Sequence, residues 1–340
     1  FLFRMGENTA VILDPKSAAT TATKPVGTGP FQFGSWAKGT SVTLTKNDAY
    51  RSAAAVKLKK VTFRFISDPS AIVAALLAGD LDGVPRGLLP QNAKQFQNDA
   101  RFTVVAGGTE GKTIVSINNR KKPFDDVRVR RALAAAIDRK AVIDGSQDGV
   151  AKPIGSHMVP SDAGYVDLTG ANPYNPEKAK ALLKEAGVAL PLNVTLALPP
   201  PEYARKGGEI VAAQLAKVGV IAKIENMEWA QWLSGPFKGN FDLTIISHVE
   251  PLDFDRYSDP KYYWGYDSKA FNDLLAKYNG SADAKTRTKL IGDLQRQLAT
   301  DSVNVYLYQL PQFAVGKKQV KGLWSSSPIF ANDLAALAWQ

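Results

Sequence analysis

NNRKKPFDDVRVRRALAAAIDRKAVI, residues Asn118 to Ile143, sets the frame in which the remaining chain is read. It holds the clearest helix start in the sequence. Asp125 or Asp126 can accept hydrogen bonds from the unpaired N–H groups of a first turn, and its charge suits the positive end of a helix dipole. Val129, Ala132, Leu133, Ala136 and Ile137 then recur at i, i+3, i+4, i+7 and i+8, a single apolar stripe. Arg128, Arg130, Arg131 and Arg139 fall mostly off that stripe. Just upstream, Thr113 to Asn118 (TIVSIN) reads as a buried strand, so a strand, a turn holding Pro123 and a capped helix follow in quick succession.

PFDDVRVRRALAAAIDR also carries a family resemblance, and three more stretches agree with it in order and spacing. They are PVGTGPFQF (Pro25 to Phe33), NDAYR (Asn47 to Arg51) and NPEKAKALLKEAG (Asn175 to Gly187). Together they resemble the solute-binding proteins of ABC importers in the peptide/opine/nickel class, over nearly the whole chain. The resemblance implies an α/β, two-lobe periplasmic binding protein-like fold (type II, cluster C) with a discontinuous first lobe. Lobe one is expected at 1–108 and again at 309–340, with lobe two at 109–308. Two crossings would define a hinge that closes on a ligand. The implied function is capture of a small solute between the lobes, an oligopeptide or related amine-bearing compound, and its delivery to membrane permease subunits. A monomer is expected, periplasmic or extracellular and membrane-tethered, peripheral to the membrane and with no cofactor. Family members usually have a further N-terminal region, so the chain reads as N-terminally truncated, its start processed or cut away.

Composition is ordinary for a globular protein: of 340 residues, 45% are apolar and 22% charged, enough for a substantial core in two domains. No apolar run approaches the length needed to cross a membrane. The absence of cysteine removes disulfides, thiol nucleophiles and thiolate metal sites. Net charge is +10, but the basic residues are spread along the chain, with only KKPFDDVRVRR and KLKK locally dense. Solvated helix faces explain that charge better than a nucleic-acid partner, and no aromatic-basic interleaving of an RNA-binding sheet is present.

Taken in order, Val56 to Ile66, a capped helix from about Pro69 to Ala78 and Leu81 to Val84 read as a β-α-β passage favouring a parallel sheet. LLPQNAKQFQ is a second short helix. AGGTEGKT (residues 106–113) comes within one residue of a P-loop, with Ala106 where the first glycine belongs. A P-loop needs a helix directly after its lysine, and β-branched TIVSIN is strand-like, so no nucleotide site is expected. The glycines mark instead a chain crossing between lobes. Gly145 to Pro173 reads as a long surface connection. LNVTLAL, a helix from about Glu202 to Val218 and VIAKIENM complete a second β-α-β unit, and FDLTIIS (Phe241 to Ser247) is a buried strand.

No catalytic constellation emerges. There are two histidines, His157 and His248, no G-x-S-x-G between strand and helix, and no HExxH-like zinc spacing, so neither catalytic residues nor a metal site are assigned. A hydrolase on the same scaffold and nickel or metal-chelate binding, through His248, Glu250 and Asp253, are the alternatives. The binding site is expected in HVEPLDFD, which begins where a buried parallel strand ends. It concentrates His248, Glu250, Asp253 and Asp255 just ahead of Tyr257, Tyr262, Tyr263 and Trp264, a mixture suited to an ammonium or guanidinium group. Family resemblance implies that this loop supplies an acid for a peptide's amino terminus, and that a basic residue near Arg205 meets a ligand carboxylate. Tyr203, Glu110, Trp229 and Trp232 complete the candidate ligand-binding set, the two tryptophans also reading as core residues of a short helix.

Overall fold

The computed structural model describes residues 11–327 and 332–340. The chain divides into two compact units and crosses between them twice, at Gly107–Gly108 and at Pro311–Gln312. Each crossing falls inside a long strand, so the second unit is one continuous stretch of chain while the first is built from both sides of it.

In the first unit, β1 (Phe31–Ala37), β2 (Ser41–Lys46) and β3 (Lys60–Arg64) form an antiparallel sheet. The helix Pro69–Ala78 follows, with the Asp68 carboxylate accepting from Ser70 N and Gly79 closing it at φ 86°. β4 (Gly83–Val84) then pairs antiparallel with the far end of a later strand, so the parallel β-α-β unit expected here does not form. The order strand, helix, strand leaves the partner open, and β3 takes the hairpin edge beside it. A small core of Val73, Leu76, Leu88, Ala93, Phe96, Phe313 and Val315 holds this unit.

The second unit is organised on β5 (Phe102–Ile117), whose later part lies in this unit. Residues 106–113 are therefore inside one unbroken strand, and no helix follows Lys112. β6 (Lys152–Pro153), β7 (Leu192–Leu198), β8 (Val220–Asn226), β9 (Leu243–His248) and β10 (Asn304–Lys317) complete the sheet, in the order β10-β5-β9-β7-β8 with β6 against β10. β7 and β8 run parallel through the crossover helix Glu202–Ala216, as the second β-α-β pattern predicts. β9 lies parallel to β7 and antiparallel to β5.

Pleating sends alternate side chains to opposite faces. Val115, Ile117, Leu243 and Ile245 face a core with Val129, Ala132, Leu133 and Val211, so the predicted stripe is buried where it should be. Ile114 and Ile246 face a second core rich in aromatics, including Tyr257, Tyr263, Trp264 and Phe271.

Three further expectations are corrected. The helix that Asp126 caps ends at Ala136, and Asp138 caps a separate helix, Arg139–Gln147, by accepting from Lys140 N and Ala141 N. The cause is partly local, the Asp138 side chain capturing N–H groups, and partly tertiary, Gln214 Oε1 accepting from Asp138 N at 2.9 Å. Arg130 is no solvated arginine, since it is buried and donates to the carbonyls of Phe124, Asp125 and Asp301. And the stretch read as surface connection passes through the core, with Ile154 and Ser156 to Val159 buried.

Candidate functional site

Register places the site. Lys112 on β5 stands opposite His248 on β9, and both share the pleat face of Ile114 and Ile246. After His248 the chain turns through Val249 to Asp253, with Leu252 at φ 50°, a left-handed conformation that non-glycine residues seldom adopt. A short turn of helix, Phe254–Tyr257, follows.

Asp253 lies at the centre. It is 3% exposed, and three nitrogen groups approach its carboxylate: His157 Nε2 at 3.0 Å, Lys112 Nζ at 3.6 Å and His248 Nδ1 at 3.7 Å. Burial works against its charge, but the His157 ring and the Lys112 ammonium outweigh that cost and hold the carboxyl well below the usual range. Lys112, 1% exposed, also donates to the Glu250 carbonyl at 2.5 Å.

A directed chain of hydrogen bonds sets the tautomer of His157. Ile117 N–H donates to Asn304 Oδ1, which leaves the Asn304 amide nitrogen to donate to the Tyr257 hydroxyl at 3.0 Å. Tyr257 then gives its own proton to His157 Nδ1 at 2.8 Å, so His157 carries hydrogen on Nε2 and points it at Asp253. Burial pushes the His157 imidazole down to about 4, and it is neutral at physiological pH. His248 turns its Nε2 to the Tyr263 hydroxyl at 2.9 Å and its Nδ1 to Glu250 and Asp253.

His157, His248 and Asp253 present three donor atoms within 4.8 Å of one another, a set that suits a transition metal by type. The charge does not suit it. Asp253 already has the Lys112 ammonium beside it, and a divalent ion would join that buried cation.

Beside this cluster opens a pocket of about 320 Å³ within the second unit. Trp232, Phe237 and Tyr262 give it aromatic walls, Ile246 and Leu233 apolar ones, and His248 and Asp253 form its buried part. Glu250 and Arg256 supply charge where solvent reaches, the Glu250 side chain being 60% exposed. The His248 ring 3.6 Å from Oε2 holds the Glu250 carboxyl down at about 2, so it is an anion throughout the physiological range. The Arg256 guanidinium lies 5.5 Å from the Tyr262 ring centre.

The other candidates divide. Tyr203 comes close, its hydroxyl accepting from Ser247 N at 3.2 Å. Trp232 is buried and donates to Thr244 Oγ1, while Trp229, in edge-to-face contact with it, is 41% exposed. Arg205 pairs with Glu228 at the surface, and Asp255 is exposed on the turn. Glu110 is buried with Oε2 unpartnered, and burial, reinforced by Asp162, raises its carboxyl to about 8. Sequence reasoning missed Lys112, His157 and Arg256. The signals for them were slight: Lys112 stands directly before the strand-like TIVSIN, and Arg256 directly follows HVEPLDFD.

A family model described as the bacterial extracellular solute-binding proteins, family 5 middle, matches residues 1–273. This chain belongs to that family. The family 5 chain is 28% identical over 320 residues to the dipeptide-binding protein of Escherichia coli (strain K12), covering 88% of this chain and 58% of that relative. It is 27% identical over 329 residues to di/tripeptide-binding protein 2 of Pseudomonas aeruginosa (strain UCBPP-PA14), covering 92% and 61%. The chain thus spans about three-fifths of the length of these relatives. Among solved structures, the periplasmic binding protein DppA of Helicobacter pylori, in complex with the peptide STSA, matches with a TM-score of 0.86 and 27% identity, over 100% of this chain and 70% of that one. The α/β fold class implied by the sequence is the fold found. No helix among the described residues is long and apolar enough to cross a membrane.

Proposed function

We propose that this family 5 chain is the solute-capturing part of an ABC importer, that it takes a peptide or related amine-bearing compound, passes it to membrane permease subunits, and catalyses no reaction. The relatives named for dipeptides and di/tripeptides, and the neighbour solved with a tetrapeptide, support that substrate class. One observation carries it to particular residues: an ionised carboxylate, Glu250, stands at a pocket walled by Trp232, Phe237 and Tyr262. A carboxylate next to aromatic faces attracts an ammonium group by charge and by cation–π contact, while the walls cover an apolar body. Arg256 on the same pocket offers a partner to a carboxylate at the other end of the solute.

Titration calorimetry of the full-length protein against a dipeptide panel, with Glu250→Gln as the variant, tests this. Loss of a charged hydrogen-bond partner is worth on the order of 1.5–3 kcal/mol, about tenfold to a hundredfold in affinity. Unchanged affinity in Glu250→Gln would place the solute elsewhere. Turnover of the peptides would overturn the binding-only assignment.

A further inference from the structure

Two carboxylates line the pocket, and the structure treats them differently. Glu250 reaches solvent, whereas Asp253 is buried against Lys112 and His157. We propose that Lys112 is a specificity-determining residue which fills the ammonium position on Asp253 from inside the protein, so that Glu250 alone is offered to a solute's cation. This rests on the reading that an amine-bearing solute enters the pocket.

Three observations support it. The register that sets Lys112 opposite His248 fixes its ammonium beneath the loop. At 1% exposure that ammonium cannot swing into water, so it stays 3.6 Å from Asp253 and 2.5 Å from the Glu250 carbonyl. These two groups flank Leu252, the residue in the left-handed region. Lys112 therefore grips the loop on both sides of its tightest bend and holds the backbone from which the Glu250 side chain projects. Second, His157 donates to the same carboxylate, its tautomer set from behind by Tyr257 and Asn304. Third, a ligand ammonium on Asp253 would bring a second cation to a carboxylate that already has one, in a site with little water to screen them. The solute class that follows is a monocation with an apolar or aromatic body. A dication would find one carboxylate only.

Lys112 is a positioning residue in this scheme, so the test must read more than lost stability. Lys112→Ala opens a space the shape of an alkylammonium ion in front of Asp253. Thermal unfolding of the full-length variant is followed with propylammonium chloride and with tetramethylammonium chloride at equal ionic strength. In a Glu250→Gln background, which removes the pocket's own ammonium partner, propylammonium is expected to raise the midpoint of the Lys112→Ala protein selectively, and to leave the protein with Lys112 intact and the Lys112→Ala/Asp253→Asn protein unmoved. With 2-phenylethylamine as calorimetric probe and Glu250 intact, Lys112→Ala should bind about tenfold more weakly than the parent. No selective rise in Lys112→Ala overturns the proposal. An equal rise with Lys112 intact in that background does so too, since Asp253 would then be open to an external cation. Should Lys112→Ala fail to fold, the double variant is expected to fold, because both charges leave together; a double that also fails overturns the assignment. The unfolding arm needs no solute, so a Glu250→Gln protein that binds peptides normally would sink the proposed function without deciding this result.

Discussion

His157 Nε2 and the Asp253 carboxylate meet at 3.0 Å, one from a stretch that reads as a surface connection and the other from the loop after β9, both almost wholly buried. A hydrogen bond from a neutral donor to a buried carboxylate is worth more than one between neutral groups, because no water replaces it. His157→Phe keeps an aromatic ring but removes the donor. It should lower unfolding stability by about 1.5–3 kcal/mol in a urea titration. A variant as stable as the parent would show that the contact contributes nothing.

The same pair predicts how stability follows pH. The folded His157 pKa, about 4, lies below its ordinary value of 6.5, and the Asp253 carboxyl is likewise held down. Between those values the unfolded chain binds more protons than the folded one. The contribution of His157 is therefore complete above about pH 6.5 and declines as pH falls toward 4. Melting temperature measured across that range should fall toward acid in the parent and fall less steeply in His157→Phe. Parallel profiles would refute the assignment.

Glu110 behaves in the opposite sense. Its carboxyl is raised from 4.5 to about 8, so its contribution is present below pH 4.5 and is lost as pH rises through 8. Glu110→Gln keeps the shape and cannot ionise. The stability of the variant relative to the parent should increase from acid to alkaline pH, by about 1 kcal/mol or more. A constant difference would mean that Glu110 titrates normally.

Leu133 tests the first core. It is 1% exposed on the buried face of the helix Val127–Ala136, and Leu133→Ala should cost about 2–5 kcal/mol in chemical denaturation.

Much of the architecture was legible because its signals are local. Asp68 and Asp126 cap the helices that their side chains announce, and Gly79 ends one of them. The apolar stripe through Val129 and Leu133 lies buried as its period requires. The β7–β8 unit was readable for the same reason, since strand, helix and strand are consecutive and pair with each other. The failures were of partner choice. β3 and β4 show strand character, yet nothing local says that one joins a hairpin and the other a distant strand.

The ligand loop shows the same division. Sequence alone determined that acids and aromatics follow the buried strand β9, because alternation and β-branching mark a strand and polar residues mark where it stops. Which acid is free was decided only by tertiary structure. Register brought Lys112 opposite His248, and the stretch around His157 passed through the core rather than over the surface. Burial then did what no spacing reveals: it made Asp253 depend on an internal ammonium and left Glu250 exposed at the pocket. A carboxylate's availability is set by the charges packed around it, and those come from parts of the chain far away in sequence.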